Sequence, residues 1–144
     1  MKRIIVTFSF SIILISFLTA CKGSDNTVPG EPPDHPRILL LKGEEALINK
    51  NMDADRRWLT VSRYILDKSE AMLTLPPVER GRIGRRLLDK SREALRRIYY
   101  LSYSFRMTGD EQFLARAEQE MLAVSAFSDW NPSHFLDVAE MTMA

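Results

Sequence analysis

The sequence predicts an all-α protein made of antiparallel helical hairpins, preceded by a signal peptide and a polar linker. Two patterns predict this fold class. From residue 43 onward, apolar side chains recur every three or four positions, which is the spacing of a helix with one buried face. No apolar–polar alternation typical of a strand persists past residue 42. Glycine and proline residues separate the periodic stretches, as expected for helices joined by tight connections.

Residues 1–20 have the pattern of a lipoprotein signal peptide. Lys2 and Arg3 give a positive start, and residues 4–20 form an uncharged run slightly shorter than the roughly 20 residues of a membrane span. The only cysteine, Cys21, follows Leu-Thr-Ala, an order that resembles the bacterial lipobox. We therefore expect cleavage before Cys21, lipidation of its thiol and an outer-membrane lipoprotein of the cell envelope. The alternative is an uncleaved anchor with an incidental cysteine.

Residues 21–34 are predicted to be a disordered tether. Residues 22–34 are rich in Gly, Ser, Asn and Pro and contain one apolar residue, Val28, so they cannot bury enough surface to fold. The folded domain is expected over residues 35–144. Its first apolar run, residues 38–41, is either a brief extended segment or a plug in the core.

Five helices are expected in this domain, and the first three cover about residues 43–51, 53–73 and 82–107. Acidic residues stand in the first turn of the second helix, where the helix dipole favours them, and two prolines follow its end. The hairpins are compatible with a bundle, a solenoid or part of an (α/α) toroid. No repeat at the tetratricopeptide period of about 34 residues is visible.

The last two helices are separated from the third by a stop and a restart. Gly109 is expected to take a left-handed cap and Asp110 to cap the fourth helix, which ends near Phe127. The fifth starts around residues 132–133 and has no stop signal, which favours a truncated sequence. The residues expected to be buried are Ala46, Leu47, Met52, Trp58, Val61, Ile65, Ser69, Met72, Leu87, Ala94, Ile98, Leu101, Phe105, Phe113, Ala117, Met121, Val124, Phe135, Val138, Ala139 and Thr142.

Composition and charge exclude several classes of protein. Hydrophobic residues make up 45% of the chain and charged residues 27%, as in globular proteins. Without Lys2 and Arg3 the 20 basic residues fall to 18, against 19 acidic ones, so we expect no nucleic-acid partner. One cysteine excludes an intrachain disulfide and a multi-thiolate zinc site.

The loop before the fifth helix holds the candidate substrate-binding residues. Trp130 has the ring to stack on a sugar, and Asn131 and His134 can hydrogen-bond hydroxyl or carboxylate groups. The structural alternative is a packed aromatic at Trp130 and helix capping by Ser133. The other histidine, His35, is expected to support the start of the domain.

Residues 79–106 are strongly basic, with nine Lys or Arg against three acids and three interleaved tyrosines. Such a face suits a polyanion such as an acidic glycan, through bidentate arginine contacts. The milder interpretation is a set of helix-surface pairs, Asp89 with Arg85 or Arg86 and Glu93 with Arg96 or Arg97. Acidic residues elsewhere would neutralise the rest; these are Glu111, Glu118 and Glu120.

Motifs for cofactors and metals are missing from the sequence. It contains no glycine-rich phosphate loop, no paired-histidine metal motif and no Ser/His/Asp set, so no cofactor is expected. His134, Asp137 and Glu140 lie one helical turn apart, but this spacing often arises by chance, so no metal site is expected either.

Three stretches resemble heparinase II/III-like proteins. Residues 35–40 (His-Pro-Arg-Ile-Leu-Leu) resemble the segment that opens the helical domain of that family, and residues 100–113 resemble one of its hairpins. The most specific stretch is 128–141, Ser-Asp-Trp-Asn-Pro-Ser-His-Phe-Leu-Asp-Val-Ala-Glu-Met. Together the likeness covers about residues 35–144.

The resemblance implies the N-terminal part of an incomplete (α/α) toroid, followed in the full-length protein by a β-sandwich domain. It also implies a polysaccharide lyase that cleaves uronic-acid-containing, heparin- or heparan sulfate-like glycans by β-elimination. In such lyases an Asn, His or Arg neutralises the uronate carboxylate and a Tyr or His removes the C5 proton. Matching motifs are absent here, so no catalytic residue is assigned, Tyr99, Tyr100 and Tyr103 included, and the chain alone is expected to be inactive. The alternative is a non-catalytic glycan-binding or helical scaffold lipoprotein of the outer membrane.

Overall fold

The computed structural model describes residues 35–36 and 38–144, so the predicted signal peptide, Cys21 and the predicted tether lie outside the described residues. The described part is all-helical, with five helices and no strand, as the sequence predicts. The helices are α1 (Glu45–Ala54), α2 (Arg56–Met72), α3 (Leu88–Thr108), α4 (Glu111–Ser125) and α5 (Phe135–Met143). None of these helices is long and apolar enough to cross a membrane.

Helix α3 is the centre of the fold, because α2, α4 and α5 all pack against it. Side-chain hydrogen bonds join α2 to α3: Tyr103 Oη donates to Ser62 Oγ at 3.0 Å, and Ser104 Oγ donates to Ser69 Oγ at 2.8 Å. α4 folds back on α3 across a two-residue link, and α1 packs against α2. These contacts make α2–α3 and α3–α4 the two central helical hairpins.

The core is divided into two apolar clusters. One lies between α2, α3 and α4 and consists of Met72, Leu101, Phe113 and Ala117. The other lies where the α2–α3 connection and α5 meet α3 and α4, and consists of Val78, Leu87, Ala94, Val124 and Met141. The sequence predicts seven of these nine residues, and it misses Val78 and Met141.

Local signals correctly predict the break between α3 and α4. Gly109 has φ +73°, a left-handed conformation that side chains disfavour, and its N–H donates to Phe105 O at 2.7 Å. Asp110 then caps α4 by accepting a hydrogen bond from Gln112 N at 2.9 Å. Asp55 caps α2 in the same way through Arg57 N at 2.8 Å.

Two predictions, one about residues 38–41 and one about the start of α3, are wrong. Residues 38–41 are neither extended nor a core plug: Ile38 and Leu39 are 79% and 72% exposed, and Leu39 has φ +65°. The guanidinium of Arg106 holds this bend by donating to Leu40 O at 2.9 Å and Leu41 O at 3.0 Å. α3 begins at Leu88 rather than near residue 82, because the backbone makes a tight turn at residues 83–86 instead.

Several residues predicted to be buried are exposed. On α1 and the start of α2, apolar side chains face solvent because no described element covers them; they are Ala46, Leu47, Trp58 and Val61. On α4 the buried position falls at Glu120 rather than Met121, because two arginines bind that carboxylate. On α5 the inner face carries Asp137 and Met141, so Phe135, Ala139 and Thr142 point outward.

Candidate functional site

Residues 73–87 join α2 to α3, and we call this segment the connection. Two buried carboxylates hold it. Near its start, Val78 N donates to Glu120 Oε2 at 2.8 Å, and at its end Leu87 N donates to Asp137 Oδ2 at 2.7 Å. Both acidic residues are 0% exposed, and they come from different helices, α4 and α5. The connection is therefore fixed at two points by side chains that follow it in sequence by about 40–50 residues.

Glu120 is neutralised by two arginines. Its Oε1 accepts from Arg97 Nη1 and from Arg116 Nη2, both at 2.7 Å, and both arginines are buried. Arg97 also donates to Pro76 O at 2.7 Å and pairs with Glu93. Burial alone would lower the pKa of Arg97, but the hydrogen bonds and charges of Glu120 and Glu93 outweigh it and raise the pKa. The start of the connection is thus held by a carboxylate whose charge is neutralised by buried arginines.

Asp137 is held by uncharged donors. Besides Leu87 N, its Oδ2 accepts from Asn131 Nδ2 at 2.6 Å, and the same amide group donates to Arg85 O at 2.8 Å. Its other oxygen, Oδ1, is buried and has no hydrogen-bond partner. Burial would raise the pKa of Asp137, but the hydrogen bonds from Asn131 and Leu87, with the charges of His134 and Arg86, lower it. We call Asn131 and Asp137 the latch.

Between its two anchors the connection carries an exposed turn at residues 83–86. Ile83 N donates to Arg86 O at 2.9 Å and Arg86 N donates to Ile83 O at 3.1 Å. Gly84 has φ +60°, and a Cβ built there would meet no atom within 4 Å, so the turn projects into solvent. Arg82, Arg85 and Arg86 are exposed, and within the described chain none of the three forms an ion pair.

A salt bridge joins the connection to the loop after α4. Arg80 Nη2 lies 2.9 Å from both carboxylate oxygens of Asp129, and Arg80 Nε donates to Asp129 O at 3.2 Å. The hydrogen bond from Arg80 lowers the pKa of Asp129, and so does the one from Asn131 N. The loop that carries Trp130 is therefore held against the connection.

Beside this salt bridge lies a shallow cavity of about 290 Å³. It is lined by Ser125, Phe127, Asp129, Trp130, Pro132 and Val138. Trp130 is half-buried against the second core cluster, and its Nε1 donates to Val124 O at 2.9 Å. The indole is thus fixed with part of its surface at the cavity.

The predicted site residues have different surroundings. Trp130 is a packed aromatic with some exposed surface, as the structural alternative predicts. Asn131 is 3% exposed with φ +58°, and its amide nitrogen and oxygen both bond within the protein, the oxygen to Ser133 Oγ at 3.2 Å. His134 is half-buried at the N-cap of α5 and makes no capping hydrogen bond through its side chain. Their contact with a substrate stays a prediction.

Ser133 does not cap α5, because His134 occupies that position and Ser133 bonds Asn131 instead. The sequence analysis does not identify the carboxylates of Glu120 and Asp137 as anchors of the connection. Each lies among apolar residues on the inner face of its helix: Glu120 between Ala117 and Val124 in α4, and Asp137 before Met141 in α5. An acidic residue within the apolar face of a helix is the one sequence signal that could identify these anchors.

Most of the basic stretch is neutralised by ion pairs. In the described part of the chain the pairs are Arg80–Asp129, Lys90–Glu93, Arg92–Glu140, Arg97–Glu93, Arg97–Glu120 and Arg106–Glu45. The predicted pair Glu93–Arg97 is confirmed. The predicted pairing of Asp89 with Arg85 or Arg86 does not occur among the described residues, where both arginines precede α3 and therefore do not stand at helical spacing from Asp89.

Among the described residues, no three His, Cys, Asp or Glu side chains are grouped so that they could hold a metal ion. Asp137 and Glu140, one turn apart in α5, have different partners: Asp137 accepts from Asn131 Nδ2, and Glu140 accepts from Arg92 Nε at 3.1 Å. No protein-family model matches the chain, and no curated protein matches it either.

Proposed function

We propose that this chain is the N-terminal part of a polysaccharide lyase similar to heparinase II/III-like proteins, with its helices forming part of an incomplete (α/α) toroid. The full-length protein would cleave uronic-acid-containing glycans, of the heparin or heparan sulfate kind, by β-elimination. Lipidation at Cys21 would anchor it to the outer membrane. The protein would thereby act on acidic polysaccharide at the cell envelope.

The observation that carries this proposal is the folding of residues 128–141, the stretch with the most specific resemblance. Asp129, Asn131 and Asp137 from this stretch all bond to the connection before α3. Residues so specialised for joining one hairpin to the next are what a ring of helical hairpins needs. The all-helical architecture supports the same interpretation.

The surface chemistry supports an acidic polymer. Three guanidinium groups of the connection are exposed without ion pairs in the described structure, and a cavity with aromatic walls lies beyond the Arg80–Asp129 bridge. Arginine matches the planar geometry of carboxylate and sulfate oxygens, and aromatic rings suit sugar faces.

The chemistry itself is assigned to residues outside this chain. In β-elimination a base takes the C5 proton of the uronate, the C4–oxygen bond breaks, and a C4=C5 double bond forms while the leaving oxygen is protonated. None of Trp130, Asn131 or His134 is assigned to these steps; Trp130 and His134 are the proposed contacts to bound sugar, with Asn131 positioning the loop.

The test uses the protein encoded by the complete reading frame, including any codons that follow Ala144. We expect that frame to supply Asn/His and Tyr motifs and then a strand-rich region. Incubation with heparan sulfate, another sulfated glycosaminoglycan and alginate should release a product whose new C=C bond, conjugated to the carboxylate, absorbs ultraviolet light. The 144-residue chain is the inactive control. A stop codon after Ala144, or no absorbance change with any of the three polymers, would contradict the lyase proposal.

The second candidate is a lipoprotein that binds glycans without cleaving them, or that serves as a helical scaffold. The observation that favours it is that the cationic turn and the Trp130 cavity lie within this chain, whereas no catalytic motif does. Saturable binding of an acidic glycan without release of unsaturated product would support it.

A further inference from the structure

We infer that Arg82, Arg85 and Arg86 form a binding site for the sulfate and carboxylate groups of an acidic polysaccharide, with the Trp130 cavity receiving an adjoining sugar ring. The choice of polymer rests on the proposed function. The site itself follows from how the connection presents these three side chains.

The turn that carries the arginines is held in one place before any ligand arrives. Asn131 bonds Arg85 O, Asp137 bonds Leu87 N, and Arg80 makes two contacts with the carboxylate of Asp129. Because the backbone on both sides of the turn is anchored, little conformational entropy of the backbone is lost when a ligand binds.

The second feature of the site is its charge. Asp129 interacts electrostatically with Arg82 and Asp137 with Arg86, and both carboxylates are already hydrogen-bonded, to Arg80 and to Asn131 respectively. Among the described residues, the three guanidinium groups make no ion pair, so their donors face solvent. A guanidinium donates two parallel hydrogen bonds to a carboxylate or sulfate, which a lysine cannot do.

The cavity favours a sugar polymer over a lipid surface. Asp129 binds Arg80 of the connection and also lines the cavity with Trp130 and Phe127, so the cavity adjoins the segment that carries the three arginines. A membrane-binding site would need apolar residues that enter the acyl layer, and the turn offers one, Ile83. An acidic polysaccharide uses both features, with its anions on the arginines and one ring at the cavity.

The test measures heparin binding by the full chain in mild detergent. Trp58→Phe leaves Trp130 as the only tryptophan, so its fluorescence reports on the cavity. The triple variant Arg82→Ala, Arg85→Ala, Arg86→Ala should lower heparin affinity at least about tenfold and weaken its dependence on salt, since fewer counterion-releasing contacts remain. The variant with lysine at the same three positions should have a heparin affinity between that of the parent and that of the triple alanine variant.

The matched control removes three exposed basic residues from α1 and α2 by Lys50→Ala, Arg56→Ala and Arg63→Ala. We expect its heparin affinity to stay within about twofold of the parent. Dextran, which is neutral, should not bind. An unchanged affinity in the arginine variant, an equal loss in the control, or binding to phosphatidylglycerol vesicles but not to heparin would overturn the inference. Heparin binding at the turn without cleavage by the full-length protein would contradict the lyase proposal and leave this site standing.

Discussion

The two anchors of the connection both accept a hydrogen bond from a backbone N–H, but their carboxylates are stabilised by different groups. Near Val78 the acceptor is Glu120, which faces two buried guanidinium groups. At Leu87 the acceptor is Asp137, whose bonded oxygen faces only an amide and a backbone N–H, and whose second oxygen has no partner. A buried charge is stable only when it is paired or fully hydrogen-bonded, so the first anchor is close to that condition and the second is not.

This difference shows where the connection is strong and where it is adjustable. The Glu120 anchor is part of the core between α2, α3 and α4, and its removal exposes buried arginines to an apolar environment. The Asp137 anchor belongs to the latch, close to the arginine turn. We therefore expect the two anchors to act independently, with changes at Asp137 altering the turn while the helix core stays folded.

The largest effect is expected from Glu120→Gln. Arg97 and Arg116 would keep their charges in the core without the carboxylate that neutralises them, which costs about 3–5 kcal/mol in comparable buried pairs. Urea denaturation followed by circular dichroism measures this loss in the free energy of unfolding.

The control for that variant is Glu118→Gln, an exposed position on the same helix. It should change the free energy of unfolding by no more than about 0.5 kcal/mol. A loss below about 1 kcal/mol at Glu120 would mean that the partners these arginines already have, Glu93 and nearby carbonyl groups, are sufficient to hold them.

Asp137→Ala should have a smaller effect. It leaves the Leu87 N–H without an acceptor and the Asn131 amide with Arg85 O alone, at a cost of about 1–3 kcal/mol for buried polar groups that lose their partner. Asp67→Ala, at an exposed position of α2, is the matched acidic control and should be neutral. A loss at Asp137 as large as the loss at Glu120 would remove the contrast between the anchors.

The stability contributed by the latch should also depend on pH. The pKa of Asp137 is lowered in the folded protein from its usual 3.8, so the folded state binds fewer protons there than the unfolded state. Its contribution is therefore complete above pH 3.8 and is lost as the pH falls through the folded pKa. In urea titrations the stability gap between the parent and Asp137→Asn should shrink below about pH 4. A stability gap that widens as the pH falls would contradict a lowered pKa of Asp137 in the folded protein.

The smallest effect is expected at the solvent-exposed bridge between α3 and α5. Arg92 is 57% exposed and pairs with Glu140 at 3.1 Å. Since water and salt screen such pairs, Arg92→Ala should cost at most about 1 kcal/mol, and less in high salt. A larger, salt-independent loss would show that α5 depends on this pair rather than on the latch.

The sequence predicts the features that local patterns determine. Gly109 and Asp110 mark the break between α3 and α4 because capping depends on adjacent residues. Local patterns do not predict the two anchors, because Glu120 and Asp137 bind donors that lie 42 and 50 positions away in sequence. The start of α3 is missed for the same reason: Asp137 and Asn131 bond Leu87 N and Arg85 O, so these backbone groups are satisfied outside a helix.

The most direct test of independent anchors is amide hydrogen exchange of Val78 and Leu87, measured by nuclear magnetic resonance in the parent and in Asp137→Asn. Exchange at Leu87 should accelerate, on the order of tenfold, because its acceptor loses its charge, while exchange at Val78 stays at the parent rate. Equal acceleration at both amides, or none at Leu87, would contradict the view that two separate carboxylates hold the connection.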